Sequence, residues 1–366
     1  MKRFSLTFLF VFFFITGYCE AQKKLAIVTY HCLGMQQWDP ESINSGITGS
    51  EESVIYISKE LALLGYQVYV LGNPPPNSPH SKEEANPRYV GTDFNDGTRF
   101  DIAISWRMPD AAEKLKKRSD LVYFWPHDTY SYPLTKKQIE DFDGVLWLSE
   151  WQRMDWIKYN PGFSQFKSIF GNGIPPDQFA AVEERENPYS CIYGSNYARG
   201  LDLLLTIWPA VKQQYPLATL DIYYGWQHWG LLSREKEAEM RDKVIKLGPL
   251  GVKEHGLVSH EELNKAYGRA SFWTYPCVAP ETFCITALRA QLSGAIPVII
   301  DGSALVETVK SGYKCLNPEE YLSLLLKAMG EVDKYSLKER KQLGEFILTD
   351  YSWKKIAEKW NSLFED

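Results

Sequence analysis

The segment that decides the fold runs from Tyr275 to Val298 and reads YPCVAPETFCITALRAQLSGAIPV. An apolar strand ends at Pro276, a short loop presents Glu281, and the pattern predicts a helix over 282–293 followed by a strand over 296–300. A carboxylate there can accept hydrogen bonds from ligand hydroxyls, and the amides and dipole of a helix N-terminus favour phosphate oxygens. The alternative is that Glu281 is simply an acidic residue that stabilises the start of a helix.

The same alternation of apolar runs and amphipathic stretches extends over the whole chain. Further strands are predicted at residues 25–30, 67–71, 101–105, 121–125, 144–149, 191–194, 220–224, 252–257 and 272–275. Strands that alternate with helices indicate parallel sheets covered on both faces. We therefore expect an α/β protein with two doubly wound halves.

The domain boundaries follow from composition. The stretch GNGIPPDQFAAVEERENP over residues 171–188 is rich in Gly, Pro and charge, which is typical of a linker. The predicted leader covers residues 1–21, and two Rossmann-like domains cover residues 22–172 and 189–349. A linker over residues 173–188 joins the domains, and an amphipathic C-terminal helix over residues 350–366 packs back on the first domain. A polar stretch over residues 74–98 predicts a long loop.

Composition excludes several classes of protein. The 366 residues are 45% hydrophobic and 23% charged, which is ordinary for a globular chain. The formal net charge of -6 argues against a nucleic-acid partner, because such proteins neutralise many phosphates. Five cysteines after residue 21, without a CxxC pair, predict neither a disulfide framework nor a zinc site.

The first 21 residues have the pattern of a secretory signal. Lys2 and Arg3 precede an uncharged run from Phe4 to Cys19, and small residues follow it. A short uncleaved membrane anchor is the alternative. We expect the chain to enter the secretory pathway or to associate with a membrane through this segment, and a place on the cytoplasmic face remains open.

Two further loops have features of anion-binding sites. The segment GITGSEES over residues 46–53 leads into a helix, with Thr48 and Glu51 spaced as a capping box. The segment GSNYARG over residues 194–200 joins a strand to a helix and offers free amides and the Arg199 guanidinium. An ordinary loop that needs positive φ, and a solvated Arg at a helix start, are the alternatives.

These segments together resemble the family 4 retaining glycosyltransferases of the GT-B fold, in particular the subgroup with PETFCITAL followed by SGAIPV. Further matching strings are WLSEWQR, SNYARGLD and GLVSHEEL, which begin at Trp147, Ser195 and Gly256. The similarity spans residues 25–364. It implies two Rossmann-like domains around a cleft, and transfer of a hexose from a nucleotide sugar to a glycan, lipid or protein-linked acceptor, with retention of configuration and with neither a bound metal nor a cofactor.

The resemblance also assigns roles to residues. It implies that Glu281 contacts the hydroxyls of the donor sugar, and that Arg199 and Gly49 face the donor diphosphate. His127 would lie near the sugar and the acceptor, with Asp128 on the acceptor side; a hydrogen-bonded structural histidine is the alternative. The implied donor-binding residues are Gly49, Arg199, Gly200, Thr282, Phe283, Cys284, Ile285 and Arg289.

Arg289 departs from the family pattern. The family has a second glutamate eight residues after Glu281, which binds the ribose hydroxyls, and Arg has no acceptor that could replace it. Either Arg289 contacts donor phosphate, or donor affinity is weakened, or the protein is a catalytically silent GT-B protein that binds a glycan or a nucleotide.

Other chemistries find less support. Asp141-Phe-Asp143 spells DxD, a metal-binding motif in another glycosyltransferase fold, but it precedes a predicted strand and is interpreted as a solvated turn. The histidines lack HxxxH and HExxH spacing. An NAD-dependent oxidoreductase would need a GxGxxG motif, which the chain lacks.

Overall fold

The computed structural model describes residues 22–30, 36–130, 132–226 and 232–365. In these residues the chain forms two six-stranded sheets. Every strand pair in both sheets is parallel. The predicted α/β class with two doubly wound halves is confirmed.

The first sheet contains β1 (Lys24–Val28), β2 (Gln67–Gly72), β3 (Arg88–Gly91), β4 (Phe100–Trp106), β5 (Ser119–Trp125) and β6 (Gly144–Val145). The second contains β7 (Ser190–Gly194), β8 (Thr219–Tyr223), β9 (Val252–Gly256), β10 (Phe272–Tyr275), β11 (Ile296–Ile300) and β12 (Tyr313–Cys315). The helices are α1 (Gly49–Leu63), α2 (Ala112–Lys116), α3 (Lys136–Glu140), α4 (Glu150–Tyr159), α5 (Leu201–Gln214), α6 (Arg234–Leu247), α7 (His260–Arg269), α8 (Ile285–Leu292), α9 (Leu305–Thr308), α10 (Tyr321–Gly330), α11 (Leu337–Gln342), α12 (Glu345–Asp350) and α13 (Trp353–Glu365).

The two sheets share one topology. The strand orders are β3-β2-β1-β4-β5-β6 and β12-β11-β10-β7-β8-β9. In each sheet the first strand along the chain lies between the second and the fourth, so the winding direction reverses at that strand. Parallel α/β sheets bind ligands beyond the carboxyl ends of the strands at this reversal. The topology therefore predicts a ligand site at the loops after β1, β4, β7 and β10.

The structure differs from the predicted strands at the sheet edges. The stretch 74–98, predicted as a loop, contains β3, and β12 was not predicted. The strand predicted over 144–149 ends at Val145, although the residues after it stay buried. There the chain pairs with another segment instead, because the Trp147 carbonyl accepts hydrogen bonds from the amides of Phe170 and Gly171.

The predicted leader, residues 1–21, lies outside the described residues. Among the helices of the described part, none has the length and apolar character that crossing a bilayer requires. The predicted linker region contains a short 3-10 helix, Pro176–Gln178.

Helix α13 packs on the first sheet and its helix α1. The Trp360 ring meets the Trp125 ring edge-on at a centroid distance of 4.8 Å. Trp353 stacks on Tyr56 of α1 at 6.4 Å, and the Tyr66 hydroxyl donates to the Asn361 side chain at 2.8 Å. The end of the chain thus closes the core of the first domain.

This packing predicts a large loss of stability in Trp360→Ala. The Trp360 side chain is fully buried, so its removal should lower the free energy of unfolding by about 3–5 kcal/mol. Chemical denaturation would measure the change, with Leu63→Ala as control because Leu63 is 72% exposed. Equal unfolding midpoints for the two variants would show that α13 does not support this core.

Candidate active site

A cavity of about 440 Å³ lies where the carboxyl ends of the two sheets face each other. Of the residues predicted from the sequence, it brings together Gly49, His127, Asp128, Arg199, Glu281, Thr282, Phe283, Cys284, Ile285 and Arg289. Gly200 is not among its lining residues. Gly200 has a φ of +94°, and a Cβ atom there would lie 2.1 Å from the Pro276 carbonyl oxygen, so a close backbone approach requires glycine.

The turn after Glu281 joins the two domains. Helix α8 begins at Ile285, not at residue 282 as predicted, because Cys284 has a left-handed φ of +74°. Thr282 is bonded to the first domain instead: its carbonyl accepts from the Ser149 hydroxyl at 2.7 Å, and its hydroxyl donates to the His127 carbonyl at 3.0 Å. This turn fixes one wall of the cavity.

Glu281 is held by partners on every side. Its carboxylate accepts a hydrogen bond from Arg199 at 2.7 Å and another from the Tyr275 hydroxyl. Its amide donates to the Ser303 hydroxyl at 2.9 Å. Burial raises the pKa of the Glu281 carboxyl, and the Arg199 guanidinium opposes that shift. The result is a positioned carboxylate beside a cation, 9% exposed, on the cavity wall.

Two helix N-termini point at the same cavity. The first residues of α1 and α8 both line it, and a Cβ atom on Gly49 would lie 3.5 Å from the Ile285 side chain. At α4 the Ser149 hydroxyl accepts from a helix amide, whereas neither Thr48 nor Cys284 caps its helix in this way in the described structure. Free amides at a helix N-terminus bind anions.

The capping box predicted for Thr48 and Glu51 is therefore not formed. The Thr48 hydroxyl donates to the Glu51 carboxylate instead of accepting from the backbone. Glu51 is buried, and burial raises the pKa of its carboxyl.

His127 is a buried, neutral side chain on the first-domain wall. Its ring packs edge-on against Trp125 at 4.5 Å and Trp106 at 5.7 Å. Burial lowers the pKa of the imidazole, and the nearby Arg107 charge lowers it further. Its Nε2 atom has no hydrogen-bond partner among the described residues, so it can bond to a ligand.

Asp128 is paired rather than free. Arg107 donates to its two carboxylate oxygens at 2.6 and 2.5 Å. Arg107 has a left-handed φ of +65°, which is uncommon for a non-glycine residue, and it lies over the Trp106 ring. The pair places one cation and one anion beside His127.

Arg289 is engaged with the first domain. One terminal nitrogen donates to the Glu52 carboxylate of α1 at 2.9 Å, and the other donates to the Asn264 side chain of α7. Arg289 and Glu52 are both buried. A phosphate contact would have to open this ion pair, so the geometry does not favour that interpretation of Arg289.

The DxD motif lies elsewhere. Asp141 pairs with Lys137 at 2.7 Å and Asp143 with Lys116 at 2.7 Å. Neither aspartate lines the cavity described here. In the described part of the chain, no group of His, Cys, Asp and Glu side chains could hold a metal ion.

Several cavity residues were not assigned from the sequence. Among them are Glu51, Glu52, Arg107, Asn172, Tyr224 and His260. The sequence did carry a signal for some of them: His260 falls in the string GLVSHEEL, which supported the resemblance, and Glu51 and Glu52 fall in the segment GITGSEES. Arg107 follows β4 directly, at the edge where ligands bind.

The fold is shared with glycosyltransferases of known structure. A sucrose-phosphate synthase from Thermosynechococcus elongatus has a TM-score of 0.70 at 15% identity, covering 94% of this chain and 98% of that chain. Anabaena Alr3699/HepE, solved with UDP and glucose, has a TM-score of 0.68 at 12% identity, covering 94% and 100%. The chain has the GT-B fold.

A glycosyltransferase from Rickettsia africae is similar to the same extent, with a TM-score of 0.69 at 11% identity and coverage of 94% and 98%. At these identities the likeness shows the fold alone. No protein-family model matches the sequence, and no curated protein matches it.

The buried His127 predicts a pH dependence of stability. Its pKa is lowered in the folded state, so below about pH 6.5 the unfolded state binds the proton and the folded state loses stability. His127→Phe should reduce the loss by up to about 1.4 kcal/mol per pH unit between pH 6 and 5. Urea denaturation at several pH values would measure this. Leu63→Ala, a variant of a 72% exposed residue that does not titrate, should leave the slope unchanged. Equal slopes for His127→Phe and the parent protein would contradict the prediction.

The buried ion pair predicts a charge-swap rescue. Arg289→Glu should lower the free energy of unfolding by about 3–5 kcal/mol, because it leaves two buried carboxylates facing each other. The double variant Glu52→Arg with Arg289→Glu should recover at least half of that loss. Lys334→Glu, which breaks an exposed pair with Glu331, should change stability by at most ~1 kcal/mol. Equal stability of the single and double variants would show that residues 52 and 289 are not coupled.

Proposed function

We propose that this protein is a glycosyltransferase that moves a hexose from a nucleotide-sugar donor to a carbohydrate-bearing acceptor with retention of configuration. The observation that carries the proposal is the convergence of two helix N-termini without an N-cap side-chain hydrogen bond, Arg199 and Glu281 on one cavity between two Rossmann-like domains. Helix N-termini and a guanidinium suit a diphosphate, and a carboxylate suits sugar hydroxyls. A nucleotide sugar carries both groups.

A neighbour of the same fold supports this choice of donor. One structure of Anabaena Alr3699/HepE holds UDP-glucose and has a TM-score of 0.68 to this chain at 12% identity. We propose that the donor of this protein binds mainly to the second domain, where Arg199 and the Thr282–Ile285 turn lie. The acceptor would then approach from the first domain, on the side of His127 and Asp128.

The proposed reaction breaks the bond between the anomeric carbon and the diphosphate and forms a bond from that carbon to an acceptor hydroxyl. The proton of this hydroxyl passes to the departing diphosphate. Negative charge grows on the diphosphate as the bond breaks, and Arg199 with the amides of α1 and α8 would stabilise it. We propose that no metal or cofactor takes part, because these groups supply the positive potential.

Glu281 and His127 would act on the sugar. In this structure Glu281 accepts from Arg199, so a diphosphate that engages Arg199 would leave the carboxylate to accept from sugar hydroxyls. His127 is neutral and its Nε2 is unpartnered in the described residues, so it can bond to a hydroxyl without adding charge. Closure of the cleft around the donor would exclude water and limit its hydrolysis.

Localisation and domain boundaries remain part of the proposal. We propose that residues 1–21 direct the chain to the secretory pathway or hold it at a membrane, and that the domains span residues 22–172 and 189–349. A secretory-pathway lumen would supply nucleotide sugars to a cleaved chain, whereas a membrane-held chain on the cytoplasmic face would meet them directly.

The second candidate is a silent GT-B protein that binds a nucleotide or a glycan without turnover. The observation that favours it is Arg289, which occupies the position of the family's second glutamate and forms an ion pair with Glu52. A ligand that raises the melting temperature without being consumed would support this candidate. Activity that is raised by Arg289→Glu would count against it.

The test of glycosyl transfer is a donor panel. The purified protein should release nucleoside diphosphate from at least one nucleotide sugar, with or without an acceptor. Glu281→Gln should lower that turnover by roughly 100-fold or more, about 2.7 kcal/mol of transition-state stabilisation, because the amide cannot replace the charge beside Arg199. The matched control is Glu331→Gln, a surface residue of the second domain.

Two results would count against the proposal. If Glu281→Gln matches the parent protein while Glu331→Gln does too, Glu281 has no part in the reaction. If no donor is turned over and none shifts the melting temperature, the protein does not use nucleotide sugars.

A further inference from the structure

Part of the cavity wall is built by three helices from both domains. Glu52 of α1, His260 of α7 and Arg289 of α8 all line the cavity, and each side chain is at least nine-tenths buried. Neither Glu52 nor His260 has a role in the function proposed above. The hydrogen bonds that their polar atoms make and lack indicate which chemical group this part of the cavity would bind.

The two carboxylate oxygens of Glu52 differ in the hydrogen bonds that they accept. Arg289 donates to its Oε1 atom at 2.9 Å, and the Nδ1 atom of His260 lies 3.6 Å from the same oxygen. In the described residues, no hydrogen bond reaches its other oxygen, Oε2. A carboxylate can accept about four hydrogen bonds, so Glu52 has capacity for a ligand.

His260 adds a second acceptor beside it. Its Nε2 atom lies 3.4 Å from the Ile47 carbonyl oxygen. A carbonyl only accepts, so Nε2 carries a proton in this contact. Burial lowers the pKa of the His260 imidazole, and the neutral ring then has a lone pair on Nδ1. Nδ1 is buried and has no hydrogen-bond partner in the part of the chain that the structure describes.

Two neighbouring acceptors need donors from outside the protein. With the neutral ring protonated on Nε2, Nδ1 and the Glu52 carboxylate are both acceptors and do not bond to each other. Leaving a buried acceptor unpaired costs about 1–3 kcal/mol. Arg289 already balances the charge of Glu52, so an amine or a metal ion would meet an adjacent cation. A phosphate would be repelled by the carboxylate. A neutral group with two adjacent O–H donors fits.

We propose that Glu52 and His260 form a subsite for a vicinal diol and that Arg289 positions Glu52 for this task. The inference rests on the proposed function, because a nucleotide-sugar donor carries vicinal diols. Two sources offer the same chemistry: the ribose of the nucleoside and the ring of the transferred sugar. Since Glu52 belongs to the first domain and His260 to the second, a diol bound to both would also hold the domains together.

The test compares ligands that differ by one hydroxyl. Isothermal titration calorimetry would measure the Kd of ribonucleoside diphosphates with each common base and of their 2′-deoxy counterparts. Nucleotide sugars and their 3-deoxysugar analogues, whose sugar ring lacks a vicinal diol, form the second arm. The parent protein should bind the diol-bearing ligand of at least one arm roughly 10-fold more tightly, and the arm that shows the preference identifies the source of the diol.

Two variants assign the preference to this subsite. Glu52→Leu with Arg289→Met removes the ion pair without leaving a buried charge, a replacement that folded proteins commonly tolerate. His260→Phe keeps the ion pair and removes the second acceptor. Both should reduce the preference to about 3-fold or less, whereas His80→Phe, at a half-buried histidine that does not line the cavity, should keep it.

The outcomes separate this inference from the proposed function. Ribonucleotides or nucleotide sugars that bind without any preference for the diol would overturn the subsite and leave glycosyl transfer standing. A preference that persists in both variants would overturn it as well. Failure of every nucleotide and nucleotide sugar to bind would overturn both proposals together.

Discussion

Helix α8 is shared by the two domains, and the cavity depends on that sharing. By chain order it lies between β10 and β11 of the second sheet, yet Phe283, Ile285 and Leu288 are buried in the core cluster of the first domain. These apolar contacts set the approach of the two sheets, because separating them would expose buried apolar surface at about 25 cal/mol per Å². The carboxyl ends of both sheets are thereby held face to face.

Residues at both ends of α8 also make polar contacts between the two domains. Thr282, just before α8, bonds to Ser149 and His127 of the first domain, and Arg289, near its end, bonds to Glu52. A motion that parts the domains must break these bonds together. It would also separate the N-terminus of α8 from that of α1, so the two helix ends line one cavity only when the domains are close.

Much of the fold could be predicted because buried parallel strands are continuous apolar runs. The central strands β1, β4, β7 and β10 all have this character, and alternation with amphipathic helices indicates the architecture. The edge strands β3 and β12 are four and three residues long and are partly exposed, so their sequences lack the apolar run. The start of α8 was misplaced because packing of Phe283 against the first domain overrides the helical pattern.

The residues of the cavity could be predicted only where they fall in contiguous strings. Glu281, Arg199 and His127 were predicted in this way and do line the cavity, whereas Glu52 and Arg289 are 237 residues apart in the chain. Considered alone, Arg289 suggests a lost carboxylate. Yet a buried guanidinium without a partner is strongly destabilising, so an Arg on the inward face of a helix itself requires a carboxylate nearby. In this chain that carboxylate is Glu52 of the other domain, so the sequence around Arg289 could not by itself reveal its partner.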